Sequence, residues 1–170
     1  MDFLHQLEGA AFGLADGVIC ALGMLIGVAA ATSNPSSVIV VGIVGGVADA
    51  FGNSIGFYIS QSTERGVQRH EERKGKAVRV HSRSEVLLNG VMSFVATVFI
   101  FALLVLPFVV VPIATAMYVS FVLGIFLLFV FGAYVARISQ ENWIKLGVEY
   151  ALLGMVGAFL SWFVGLQLKM

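Results

Sequence analysis

Five apolar runs, at about Gly9–Ala31, Val38–Ser62, Val86–Leu106, Ile113–Ala136 and Ile144–Leu168, set the terms on which this chain can fold. Each is near the ~20 residues that an α-helix needs to cross the hydrocarbon core of a bilayer. Lipid offers no partner to backbone N–H and C=O groups, so a run in lipid must close its hydrogen bonds internally, as a helix or in a closed barrel. No run alternates with period two, which disfavours the barrel. The expectation is an all-α integral membrane protein, a single domain over residues 1–170 with five transmembrane helices. Composition agrees, with 59% hydrophobic and 12% charged residues where soluble chains carry about 45–50% and 25%. Residues 1–8 hold no Lys or Arg, and no small-residue cleavage site follows a short apolar core. The first run is therefore expected to be retained rather than removed as a leader.

The breaks between runs make chemical sense. Thr32-Ser33-Asn34-Pro35-Ser36-Ser37 is a polar turn, and Pro107 and Pro112 bracket a short apolar connection whose second proline suits a first helical turn. Nine of the ten Lys and Arg residues lie in or at the edge of two connections, seven between the second and third runs and two, Arg137 and Lys145, where the fourth run ends and the fifth begins. With alternating crossings both connections share one side, and the positive-inside rule makes it cytoplasmic, with the N-terminus inside and the C-terminus outside. The implied location is a cell membrane, crossed several times. The Thr63–Glu85 segment mixes charges of both signs and can continue the second helix beyond the bilayer before turning at Gly75; it is either a solvated basic linker touching anionic headgroups or an ion-collecting element. Glu64 is among the carboxylates it offers, but no spacing there forms a recognised ligand set.

Acids inside the runs are in the wrong solvent. An ionised carboxylate in a bilayer core costs from about 3 kcal/mol upward, which makes an intramembrane acid a functional-site hypothesis. Asp16 falls about two turns into the first run and Asp49 about three turns into the second, near the bilayer middle. Asn53 follows Asp49 at i+4, on the same helix face. Oxygen donors of this kind suit hard or borderline divalent cations such as Mn²⁺, Fe²⁺, Mg²⁺ or Ca²⁺. Cys20, the only cysteine, excludes an intrachain disulfide and a site built on cysteines. Cys20 and Met24, one turn apart, either face the same pathway and soften it or simply pack, as most such residues do. Asp16 and Asp49 have a bland reading too, as protonated groups that glue helices together. Glu149, about one turn inside the fifth run, is either a snorkelling carboxylate or a further ion ligand.

Nineteen glycines are the other anomaly. Gly13/Gly17, Gly23/Gly27, Gly42/Gly46 and Gly52/Gly56 are each spaced by four, which lets helix backbones approach closely, either within a protomer or across a dimer.

Several local patterns coincide with one family. Asp16-Gly17 followed by a glycine-rich apolar run, Gly56-Phe57-Tyr58-Ile59-Ser60 with Ser62-Thr63-Glu64 after it, Ser93-Phe94, Leu106-Pro107-Phe108, and Gly147-Val148-Glu149, in this order, resemble the vacuolar iron transporter family over nearly the whole chain. The resemblance implies a homodimeric five-helix transporter moving Fe²⁺ and often Mn²⁺ out of the cytosol in exchange for protons, with the ion path near the dimer axis. It implies that Asp16 is a pore ligand; Asp49, Asn53, Met24, Glu64 and Glu149 join it in the candidate metal set on the reading of the residues themselves. Three departures mark a small divergent prokaryotic or archaeal branch. Gly52-Asn53 stands where the family commonly has Ser-Met, Asp49 stands where a small residue is usual, and the glutamate-rich metal-binding domain that plant-type members insert is replaced by Thr63–Glu85.

No resident cofactor and no nucleic-acid partner are expected; the partners are divalent metal ions, protons, the lipid bilayer and a second copy. The chain reads as no enzyme: it lacks a phosphate loop, a dinucleotide fingerprint and a zinc-helix motif. Two intramembrane aspartates also describe an intramembrane protease, but Asp16 follows Gly-Leu-Ala and Asp49 follows Gly-Val-Ala, neither of which is that family's motif. The alternative to transport is a membrane scaffold or subunit with purely structural acids.

Overall fold

The computed structural model describes residues 8–169. The expectation that the N-terminal run is retained concerns, in residues 1–7, a segment outside those described. Among the described residues there are five helices long and apolar enough to cross a membrane, and no strand: α1 (Glu8–Thr32), α2 (Pro35–Arg73), α3 (Arg83–Val110), α4 (Ile113–Ser139) and α5 (Trp143–Gln167). The chain is a multi-pass membrane protein. Large apolar side chains such as Val44, Phe99, Phe126 and Leu153 stay exposed on the outer faces, as a protein solvated by lipid requires.

The helix ends follow from local chemistry. Asn34 caps α2 by accepting a hydrogen bond from the Ser36 N–H at 2.9 Å, with Pro35 in the first turn, where its missing N–H costs nothing. Ser82 and Glu85 form a reciprocal capping box that starts α3. Asn142 accepts from the N–H groups of Ile144 and Lys145 and starts α5.

One boundary differs from expectation, and the Thr63–Glu85 segment takes the helical course that its sequence allowed. α3 does not stop at Leu106; it runs through Pro107 to Val110, leaving Val111-Pro112 as the connection, and Pro112 caps α4 instead of lying in its first turn. Pro107 is buried, and forgoing one backbone hydrogen bond there costs less than laying irregular backbone against lipid. The Thr63–Glu85 segment is not all linker. α2 continues to Arg73 and turns at Gly75, whose φ of +80° suits glycine. The returning chain is then tied to this helical extension. The Arg65 guanidinium donates to the His81 carbonyl at 2.8 Å, and the His81 N–H donates to Gln68 Oε1 at 2.9 Å.

α1 is the central helix, packed against all four others and the most buried of the five. Its glycines set the approach. Gly9, Gly13 and Gly17 face Asn89, Ser93 and Thr97, so α1 and α3 run parallel with their backbones in contact; Gly23 and Gly27 face Ser161 of α5. Gly42 and Gly46 of α2 receive side chains of α1 and α3, among them Leu25 and Phe101. Three of the four glycine pairs thus serve packing within one protomer. Gly52 and Gly56 meet nothing within 4 Å.

Candidate metal centre

α1 and α2 are antiparallel, and each four-residue step along one is matched by a four-residue step back along the other. Gln61 Nε2 donates to Glu8 Oε2 at 3.1 Å, and one turn further in the Phe12 and Phe57 rings pack against each other, tilted by 41°, with centroids 5.4 Å apart. The same register brings Asp16 level with Asn53 and Cys20 level with Asp49. One turn beyond, Met24 fills the notch at Gly45, where a Cβ would lie 2.7 Å from its Sδ.

Asp16, Cys20 and Asp49 form the centre. One ligand atom from each lies within 4.8 Å of the others, and all three residues are half-buried. Cys20 Sγ donates to Asp16 Oδ2 at 3.6 Å. The Asn53 amide donates from Nδ2 to Asp49 Oδ2 at 3.3 Å and to Thr97 Oγ1 at 3.2 Å. The Thr97 hydroxyl is in turn shared between the carbonyls of Gly13 and Ser93, at 3.1 and 3.0 Å. Asp49 is therefore oriented by a chain of bonds anchored in the backbones of α1 and α3.

The chemistry of the set is that of a cation site. Two carboxylates this close in apolar surroundings repel each other, and a bound divalent cation or a proton relieves the repulsion. Two oxygen donors with one sulfur favour borderline metals over Mg²⁺ and Ca²⁺. Along α1, Asp16 and Cys20 lie about 12 and 18 Å from the Glu8 end by helical rise, within the membrane-spanning part.

Not every residue proposed from sequence joins this group. Asn53 meets Asp49 through its amide nitrogen, and Met24 is one turn away from Cys20. Glu64 lies on the exposed extension of α2, about 22 Å of helical rise beyond Asp49, where it accepts from Gln68 at 3.1 Å and lies 3.9 Å from His81. Glu149 is exposed on α5, which packs on α1 and α4. Among the described His, Cys, Asp and Glu side chains, neither glutamate belongs to a cluster of three. The sequence reading had left Cys20 between pathway and packing; its i+4 spacing from Asp16 was the available signal. Thr97 had no signal, since its part depends on which helices are neighbours.

A family model described as the VIT family matches residues 7–86 and 74–166 of the chain. An uncharacterized protein of Methanocaldococcus jannaschii is 29% identical over 167 residues, covering 89% of this chain and 84% of the relative.

Proposed function

The chain belongs to the VIT family, generally membrane metal-ion transporters, and from that premise we propose that it carries Fe²⁺ or Mn²⁺ out of the cytoplasm in exchange for protons. The observation that carries the reading is the meeting of Asp16, Cys20 and Asp49 inside the membrane-spanning part of α1 and α2. A carboxylate pair binds either a metal or protons, so loading one displaces the other, which is the exchange that antiport needs. Asn53 holds Asp49 in place and Met24 offers a thioether on the outward side. Glu64 and Glu149 lie away from the centre and take no part in it. The basic end of the bundle, where α1 begins and the α2–α3 and α4–α5 connections lie, faces the cytoplasm of a prokaryotic or archaeal cell.

Uptake into proteoliposomes tests this directly, comparing Mn²⁺, Fe²⁺, Ca²⁺ and Mg²⁺ with and without a proton gradient. Saturable uptake of Fe²⁺ or Mn²⁺, accelerated by the gradient and absent from liposomes lacking protein, is expected. Folded protein that moves none of these ions would replace transport with the scaffold reading.

The transporter is a homodimer in this proposal. Three half-buried ligands leave coordination positions open, and Gly52 and Gly56 give α2 a bare small-residue face suited to close helix approach. With Cys20→Ser to remove the native thiol, Gly52→Cys is expected to form an interchain disulfide in membranes, because only faces within about 7 Å can be bridged. Monomer alone under oxidation, on a non-reducing gel, would place the dimer contact elsewhere.

A further inference from the structure

The α1–α2 seam has a second polar layer that the centre does not use. Gln61 is 6% exposed. Its Nε2 donates to Glu8, but its Oε1 is buried with no hydrogen-bond partner. Burying a carbonyl oxygen unsatisfied costs about 1–3 kcal/mol, a penalty that a bound cation removes. An amide oxygen and a carboxylate are oxygen donors of the kind that hard divalent cations take, with water completing the shell. Between this layer and the centre along the two helices lie the paired Phe12 and Phe57 rings. By helical rise Glu8 and Asp16 are about 12 Å apart, too far for one ion to touch both. Neither ring offers an ion a donor atom, so the two polar layers are separate sites.

We propose that Glu8 and Gln61 form an outer station for a divalent cation, separated from the Asp16/Cys20/Asp49 centre by the Phe12–Phe57 pair. The proposal rests on the transporter reading and adds to it a place where the ion waits before crossing the aromatic layer. Lacking sulfur, the outer station accepts Mn²⁺, Mg²⁺ and Ca²⁺ with little preference, and discrimination belongs to the centre.

Mn²⁺ titration of the full chain in detergent, followed by the electron paramagnetic resonance signal of free Mn²⁺, tests the station. The wild type should show two classes of site per protomer, and the Asp16→Asn/Asp49→Asn double variant should keep one. Adding Glu8→Gln to that double variant should weaken the remaining class at least about tenfold, the loss expected of a charged ligand. Gln61→Leu, which keeps the bulk and removes the oxygen, should do the same. Residual binding that ignores both substitutions, or no residual binding at all, overturns the outer station while leaving the centre standing. If the double variant titrates as the wild type does, the centre fails instead, and a loss on Glu8→Gln still supports the station. Circular dichroism and size-exclusion profiles confirm that each variant is folded.

Discussion

Asp49→Asn, and separately Asp16→Asn, is expected to lower metal uptake by about two orders of magnitude or more, with the five-helix protomer intact. Each substitution keeps the shape of the side chain and removes one negative charge from a place where water cannot replace it. Leaving a charge inadequately paired in such surroundings costs roughly 3–5 kcal/mol, which corresponds to about 10² to several times 10³ in affinity. In Asp49→Asn a side-chain oxygen can still accept from Asn53, so the link to Thr97 and the α1 and α3 backbones need not be lost. Cys20→Ser should behave differently. It replaces a thiol, which gives up its proton on binding a metal, by a hydroxyl that keeps it, so the two carboxylates still bind and uptake persists at a reduced rate while the preference for Fe²⁺ and Mn²⁺ over Mg²⁺ and Ca²⁺ shrinks several-fold. Initial rates in proteoliposomes, normalised to folded protein, separate the two effects. Wild-type rates from both Asn variants would reduce the acids to helix glue.

The contrast between these residues also shows where sequence reasoning reaches its limit. Asp16 and Asp49 were legible because their chemistry conflicts with their solvent, a conflict visible in one dimension. The five spans were legible for the same reason, since length and apolarity alone decide what lipid accepts. Pro107 misled because a proline in an apolar run reads as a stop, whereas a buried helix in lipid has more to lose by ending than by missing one hydrogen bond. Cys20 was ambiguous because a lone thiol packs as readily as it ligates; only the arrival of Asp49 from α2 settles its surroundings. The register that stacks Glu8, Phe12, Asp16 and Cys20 against Gln61, Phe57, Asn53 and Asp49 follows from how α1 and α2 dock, and no single-helix period contains it.

The glycine pairs show the same limit and lead to the second large effect. Gly13/Gly17 and Gly52/Gly56 have identical spacing, yet a Cβ on Gly13 would run into the Ser93 carbonyl and lie 2.9 Å from Ser93 Cα, whereas one on Gly52 would meet nothing within 4 Å. Backbone cannot rotate aside as a side chain can, so Gly13→Val must push α1 away from α3. That separation also breaks the bond from Thr97 to the Gly13 carbonyl and so loosens the support of Asn53 and Asp49. Overpacking of a tight core typically costs 1–3 kcal/mol, and with backbone on the receiving side about 3 kcal/mol is the lower end expected here. For a chain of this size that is roughly a 6–12 °C fall in apparent Tm, accompanied by loss of metal uptake. Gly52→Ala adds a methyl that meets nothing within the protomer, so the melting of the dissociated monomer should stay within about 2 °C of wild type, any effect being confined to the dimer contact. Melting of purified protein in detergent, followed by circular dichroism, measures both. If Gly13→Val melts with the wild type, then α1 and α3 are not in backbone contact, and the platform that orients Asp49 is not the one described.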